Sequence, residues 1–300
     1  MRINNLQIKD FYHIKNSCID IGKDENVIAV ICKKDIRFTK TDFMYAMEQL
    51  FNGDMSMRSG EIMCACQKDD KKYFIELFAE KLEEKRIING KEFSGKKIVR
   101  KQTCLCEETV SDKIKWFCGL DYKNWLYPTP FWDYGVFRGE SMLDELVFGI
   151  EDGCLFEPTL EEDEENLIKA LNKSINDLTS ISIGGKELCI DRDGRICVKN
   201  GGYINAYTDN ILSEEEKLLA NFLLWLSTLN IIKQICKETD RLLGFPVFIE
   251  NFFERLTDYS KTDMIFQSIR KAERQVFIIL NERNALIESF CDKVFEIDKI

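Results

Sequence analysis

The chain of 300 residues holds one histidine, His13, and only four prolines. A single imidazole leaves no histidine cluster for a zinc site. So few prolines, with no Ser/Gly-rich tract, give no flexible linker, and the chain reads as one domain. No apolar run reaches the ~18 residues of a membrane-spanning helix. The opening Met1-Arg2-Ile3-Asn4-Asn5 lacks the apolar stretch of a secretory leader. The expectation is therefore a cytoplasmic protein without membrane contact, whose twelve cysteines are reduced thiols rather than disulfides. Cys64/Cys66 and Cys104/Cys106 are spaced Cys-x-Cys. Alternate residues of a strand share a face, so these pairs read as small packing side chains, and no metal site is expected. The formal net charge of −10 disfavours non-specific attraction to nucleic acid, while leaving room for a local basic groove.

What the chain does have is apolar patterning. With 45% hydrophobic residues it can bury a sizeable core. Residues 3–9 and 16–21 alternate as strands, and Val27–Cys32 is a continuous apolar run suited to a strand buried on both faces. A basic loop, Lys33 to Lys40, leads into a helix from about Asp42 to Asn52. Residues 61–66, 73–78 and 85–88 read as antiparallel strands, and Asn89-Gly90 is a hairpin signal. Further on, Thr159 with Glu162 and Ser213 with Glu216 form capping boxes that open helices to about Leu178 and about residue 237. Between them lies a hairpin, 186–190 and 195–199, turned at Asp193-Gly194. The last third alternates strand 245–249, a helix over 261–273 capped by Ser260, strand 276–280, helix 284–290 and strand 293–297. Such alternation predicts an α/β fold with a mostly parallel central sheet, an antiparallel β subdomain and flanking helices.

Two blocks carry a resemblance. "MRINNLQIKDFYHIKNSCIDI" with the strand, loop and helix behind it forms one. "LSEEEKLLANFLLWLSTLN", "FPVFIENFFERL" and "QVFIILNERNAL" form the other. In order and pattern they resemble the two lobes of the ATPase head of the SMC/Rad50/RecF group, a branch of the ABC class of P-loop NTPases. The likeness spans about residues 1–100 and 180–300. It divides the chain into an N-terminal lobe 1–110, an aromatic and acidic helical insertion 111–180, and a C-terminal lobe 181–300. The long coiled coil that SMC and Rad50 proteins carry between lobes is absent, since 111–180 shows no sustained heptads.

The resemblance also says where nucleotide chemistry should sit, and there the motifs are degraded. A P-loop needs Gly-x-x-x-x-Gly-Lys-Ser/Thr so that backbone N–H groups can wrap phosphates. Here Lys40 and Thr41 stand in the last two positions, and Lys34 and Thr39 replace the two glycines. Two readings follow: retained phosphate binding, or a basic loop beside a helix start. At the signature motif Ser213 is followed by Glu214, Glu215 and Glu216, which suit a helix cap and repel a triphosphate. The Asp-Glu pair that should close the Walker B strand is Glu250-Asn251, and an amide cannot serve as a general base. Asn281 stands at the switch histidine, and Leu256-Thr257-Asp258 at the family's Leu-Asp loop. The resemblance thus implies a pseudo-ATPase with no catalytic residues and no cofactor, against a competing reading of weak ATP/Mg²⁺ binding through Lys40, Thr41 and Glu250.

Partners are expected instead. Trp116, Trp125, Phe131 and Trp132 lie in an aromatic stretch that reads either as a satellite core or as a docking surface for a protein partner or a second copy. Lys96, Lys97, Arg100 and Lys101 cluster, as do Lys33, Lys34, Arg37 and Lys40; one shared groove would follow a double-stranded DNA backbone. The leading expectation is a scaffold or regulatory subunit in DNA maintenance or mobile-element defence. The alternative is a DNA-binding oligomer that, like some CRISPR-adaptation proteins, encircles duplex ends.

Overall fold

The computed structural model describes residues 2–32, 39–52, 57–68, 71–88, 91–110, 113–118, 136–137, 161–178, 183–192, 195–207, 211–235, 246–271 and 274–297. Its centre is a five-stranded parallel sheet. β3 (Val27–Ile31) pairs with β13 (Val276–Leu280) from Val27↔Val276 to Ile31↔Leu280, and all ten residues are buried. β14 (Lys293–Glu296) lies on the other side of β3. β12 (Val247–Glu250) lies beyond β13, and the two-residue β8 (Val136–Phe137) closes the far edge. Phe245, expected at the start of β12, lies outside the described residues.

Alternation splits this sheet's side chains between two cores. Ile28, Val30, Phe248, Phe277 and Ile279 face one; Val27, Ala29, Val247, Ile249, Val276 and Ile278 face the other. The first core is closed by helix α1 (Thr39–Asn52), through Phe43, Met47 and Leu50, and by a second, antiparallel sheet. That sheet runs β2 (Ile14–Asp20), β1 (Arg2–Phe11), β4 (Gly60–Lys68), β5 (Lys71–Ile88), β6 (Lys91–Val110) and β7 (Lys113–Cys118), in that order. Its inner face presents Leu6, Ile8, Ile62, Cys64, Cys66, Ile75 and Leu77, so the Cys64/Cys66 pair packs as hydrophobes; Cys104 and Cys106 stand in β6, with their side chains outside the described residues. The second core is closed by α2 (Glu161–Asp177), the 22-residue α3 (Glu214–Ile235), and α5 (Thr262–Lys271), which follows the short α4 (Phe252–Arg255). A 3₁₀ turn, Tyr259–Lys261, precedes α5, and α6 (Ala285–Phe290) joins β13 to β14. A small antiparallel sheet, β9 (Glu187–Ile190), β10 (Ile196–Asn200) and β11 (Tyr203–Ala206), adjoins this side.

Three expectations need correction. The parallel sheet is central, but the antiparallel sheet has six strands and outnumbers it. The stretches 73–78 and 85–88 are parts of one 18-residue strand, β5, held against β6 by an unbroken ladder from Lys72↔Glu107 to Ile88↔Lys91. The apolar alternation that signals a strand stops near Ala79 because the ribbon there leaves the core, while backbone pairing continues without it. Ser260 lies inside the 3₁₀ turn that precedes α5, and Asp258 caps that turn, accepting from the Ser260 N–H at 3.0 Å. The Ser213/Glu216 capping box forms as expected, with Ser213 N to Glu216 Oε2 at 2.8 Å and Glu216 N to Ser213 Oγ at 3.3 Å. The hairpin tips Asn89-Gly90 and Asp193-Gly194, and the Thr159 cap, lie outside the described residues.

Two polar anchors fix the layers. Gln275, 5% exposed, accepts from the Ile3 N–H and donates to the Ile3 carbonyl, both at 2.8 Å, tying β1 to the entry of β13. Asp292 accepts from the N–H groups of Asn26 and Val27 and from Arg270 Nη2, each at 2.8 Å, and so sets where β3 begins. One glycine is required by space: at Gly60, with φ of +105°, a Cβ would come within 2.8 Å of the Asp10 carbonyl and the Phe11 Cα.

Gln275→Leu strands the Ile3 N–H and C=O in an apolar layer, and each lost partner costs about 1–3 kcal/mol. Urea unfolding should show a loss of about 3 kcal/mol. Burial alone would raise the Asp292 carboxyl. The Arg270 guanidinium and the two N–H donors outweigh it and hold the group below its usual 3.8. A depressed folded value adds stability that is present above the unfolded value and lost as pH falls through the folded one. Asp292→Asn should therefore lower stability at pH 7, with the difference from wild type shrinking as the pH drops well below 3.8.

Candidate functional site

The site assembles at the carboxyl ends of β3, β12 and β13, the end at which open parallel sheets hold their ligands. α1 begins at Thr39, and its second residue, Lys40, is 8% exposed. Its Nζ donates to Asn251 Oδ1 at 2.5 Å and to Glu254 Oε2 at 3.2 Å, and lies 4.0 Å from Glu250 Oε1. Glu254 has further donors. Its Oε1 accepts from the Asn281 backbone N–H and its Oε2 from Asn281 Nδ2, both at 2.6 Å. One carboxylate is thus held by an ammonium, a side-chain amide and a main-chain N–H. Lys40 is thus hydrogen-bonded by Asn251, which follows β12, and by Glu254 of α4.

Four residues singled out from sequence therefore meet here: Lys40, Glu250, Asn251 and Asn281. Glu254, which joins them, is absent from the sequence reading. A signal for it existed in the Asn251-x-x-Glu254 spacing, which has the form of a capping box. The structure spends neither side chain on capping. Asn251 sits at φ 62°, in the left-handed region that Asn tolerates, and makes no side-chain cap bond to α4. Its oxygen faces Lys40 instead.

The rest of the sequence-predicted set is distributed otherwise. Thr41 follows Lys40 and is exposed. Thr39 opens α1, with its side chain outside the described residues, as is all of Lys34. Ser213 serves its capping box at the start of α3, where Glu216 also takes Lys186 Nζ at 2.7 and 2.8 Å. Its neighbour Glu215 accepts from the N–H groups of Thr257 and Asp258, at 3.2 and 2.8 Å, and from the Thr257 hydroxyl. The Thr257 hydroxyl, with these N–H bonds, holds the Glu215 carboxyl below the ordinary glutamate range. The loop at 256–258 is thereby pinned to the first turn of α3 by a carboxylate. Trp116 belongs to β7 opposite Glu107, with its side chain outside the described residues, and Trp125, Phe131 and Trp132 lie outside them altogether.

The surroundings are compact. Cys32, at the end of β3, is buried, which pushes its thiol up to about 12 and leaves it unreactive. Asp42, in the first turn of α1, accepts from the His13 backbone N–H at 3.0 Å, and its Oδ2 lies 2.7 Å from His13 Nδ1. The one histidine therefore locks the β1–β2 turn to the helix that carries Lys40. Next to Glu254, a cleft of about 200 Å³ is lined by Phe253, Tyr259, Leu280, Asn281 and Arg283 among others. Small-molecule pockets run to about 300–1,000 Å³, so this cleft is small for a nucleotide. Among the described residues, no group of three His, Cys, Asp or Glu side chains converges as metal ligands do, and no helix is long and apolar enough to cross a membrane.

A parallel sheet with α1 behind its first buried strand, flanked by an antiparallel sheet, is a fold shared with a solved SMC head. The chain aligns with an SMC head crystallised bound to the C-winged helix domain of ScpA, at a TM-score of 0.59 and 12% identity, over 99% of this chain and 94% of that one. It also aligns with the recombination mediator RecF of the RecFOR pathway, solved with ATPrS, at 0.48 and 12%, over 99% and 98%. At this identity the likeness is one of fold. No family model and no curated protein matches the sequence.

Lys40→Met would take a buried ammonium away from the carboxylates of Glu250 and Glu254. Removing one partner of a buried pair costs about 3–5 kcal/mol, and partial exposure of Glu254 places the expected loss near ~3 kcal/mol by urea unfolding. A neutral outcome would mean that the ion pair contributes nothing to the fold.

Proposed function

We propose that this chain is an ATPase-head scaffold that does not turn over nucleotide, and that it acts as a binding or regulatory subunit in a DNA-maintenance or mobile-element-defence assembly. The single observation that carries this reading is the hold on Glu254. The lysine at the P-loop position and the donors of Asn281 enclose a carboxylate of the protein itself, where a nucleotide-using head would present donors to phosphate. A bound triphosphate would have to displace Glu254 and would also face Glu250. At ~4 Å and an effective dielectric near 20, each such like-charge contact is worth about 4 kcal/mol. The residues do not fit Mg-ATP, and no catalytic step is assigned.

Other features support the same reading. Asn251 supplies an amide where water activation needs a base. Glu215, in the position of the signature motif, is engaged with Thr257 and Asp258 rather than free to admit an anion. The fold keeps two hydrophobic cores and the polar anchors at Gln275 and Asp292. A scaffold kept without its chemistry is one kept for contacts. The SMC head that shares the fold is a head seen with a protein partner, which favours a protein partner or self-association here as well. A duplex-end-binding oligomer is a separate claim about other surfaces.

Thermal unfolding with and without millimolar Mg-ATP tests the proposal. A ligand at 100 times its Kd adds about 2.7 kcal/mol of stability. The wild-type protein should show no shift and no hydrolysis. Glu254→Ala, which empties the anion position while leaving Lys40 and Asn281 in place, should gain a shift with inorganic phosphate or ATP. A wild-type shift abolished by Lys40→Met, accompanied by turnover, would overturn the reading.

A further inference from the structure

The small sheet β9–β11 carries two cysteines that stand outside the second core. Leu188 and Ile190 of β9, and Ile196 and Val198 of β10, belong to that core. Successive residues of a strand alternate, so Cys189 and Cys197 lie on the opposite face. The two are directly opposed, Cys197↔Cys189, and opposed residues of an antiparallel pair share a face. Cys197 is buried and Cys189 half-buried, so a small ion can reach the pair through Cys189.

The backbone ladder fixes how far apart the two thiols stand. In the continuation of this register, the Asp191 N–H donates to the Arg195 carbonyl at 2.9 Å, so Asp191 and Arg195 are a hydrogen-bonded pair. Ile190, opposite Ile196, turns its backbone the other way. Its N–H donates to Asn172 Oδ1 and its carbonyl accepts from Asn172 Nδ2, both at 2.8 Å. Hydrogen-bonded and non-hydrogen-bonded pairs alternate along an antiparallel ladder, so Cys189 and Cys197 are again a hydrogen-bonded pair. Such pairs hold their Cβ atoms at the wide end of a range of about 4.5–5.5 Å. A disulfide needs Cβ atoms about 3.5–4.5 Å apart. Two metal–sulfur bonds of about 2.3 Å each let the sulfurs stand up to ~4.6 Å apart, which suits the wider pair.

We propose that Cys189 and Cys197 form a two-thiolate site for a soft, thiophilic cation, Cu(I) in type. Thiolates suit Cu(I) and Zn(II). Zinc in a structural site takes four ligands, whereas Cu(I) accepts two in line. Among the described residues no three His, Cys, Asp or Glu side chains converge, so the pair offers two ligands and selects the copper ion. Binding changes no oxidation state: one Cu(I) ion and two thiols give a dithiolate complex of net charge −1 and two released protons. Asp191 stands at the pair, its Oδ2 accepting from Cys197 Sγ at 3.8 Å. A carboxylate there opposes bare thiolates and favours the cation that neutralises them. The bound ion staples β10 to β9, the strand that Asn172 ties to α2. This site is separate from the Lys40 site, and the inference does not depend on whether that site binds nucleotide.

Anaerobic titration of the fully reduced protein with Cu(I) buffered by bicinchoninate tests it. The wild type should take up one more equivalent than Cys189→Ser/Cys197→Ser, so that uptake by the other thiols cancels in the comparison. Each single variant should behave as the double does, since one thiolate does not make the site. Cys18→Ser, which removes an exposed cysteine elsewhere, should match the wild type. Cys189→Ser alone, at the more exposed position, gives the same comparison should the double variant fail to fold. The ion should also raise the thermal midpoint of the wild type more than that of the double variant. Three results would each overturn the proposal: equal uptake by the wild type and the Ser variants, displacement of the extra equivalent by equimolar Zn(II), or ready closure of the pair to an intramolecular disulfide under a mild oxidant, read by mass spectrometry of the hairpin peptide.

Discussion

The whole molecule is organised by one constraint, the burial of the β3–β13 pair on both faces. Five pairs of buried residues, ten in two strands, cannot be satisfied by one covering layer. The face of Ile28 and Val30 recruits α1 and the antiparallel sheet, and the face of Val27 and Ala29 recruits α2, α3 and α5. Full burial of a large aliphatic or aromatic side chain is worth about 1.5–3 kcal/mol, so each cover is held by many such terms. The polar anchors then choose among registers that hydrophobicity alone would leave equivalent. Gln275 fixes β1 against β13, and Asp292 fixes the first residue of β3.

The same constraint positions the site. Because β3, β12 and β13 are parallel and in register, their ends lie side by side, and residues far apart in the chain emerge together: Cys32, Glu250 and Asn281. α1 returns from β3 and delivers Lys40 into that row. A lysine this buried needs partners, and Asn251 and Glu254 supply them. The left-handed backbone at Asn251 is the local cost of turning from β12 into α4 while aiming its amide at Lys40. Among the described residues, Lys40, Asn251, Glu254 and Asn281 therefore satisfy one another's charges and donors.

Legibility followed the apolar pattern. VIAVI and VFIIL read as doubly buried strands because nothing polar interrupts them, and LSEEEKLLANFLLWL read as a capped core helix because the cap and the apolar run agree. The stretch of β5 between the two segments that read as strands did not read, since AEKLEE, residues 79–84, has no apolar period to show. β11 was missed for the same reason, its Tyr203 and Ile204 being exposed. Of the site, Lys40, Glu250, Asn251 and Asn281 could be named from their places behind strands. Glu254 could not, because its Asn-x-x-Glu spacing also describes an ordinary helix cap, and only the direction of two side chains separates the two uses.

The sequence by itself determined which strands are buried on both faces and where the long helix α3 starts, and it placed Lys40, Glu250, Asn251 and Asn281 next to those strands and helices. These are properties of local pattern, fixed by side-chain volume, period and backbone freedom. Only the tertiary structure decided that Lys40, Asn251, Glu254 and Asn281 form one network, and that β5 and β6 pair so that Lys81 falls between Lys96 and Arg100. Both are matters of where separate segments meet: sheet register brings residue 40 to residues 251 and 254, and strand pairing sets residue 81 beside residues 96 and 100.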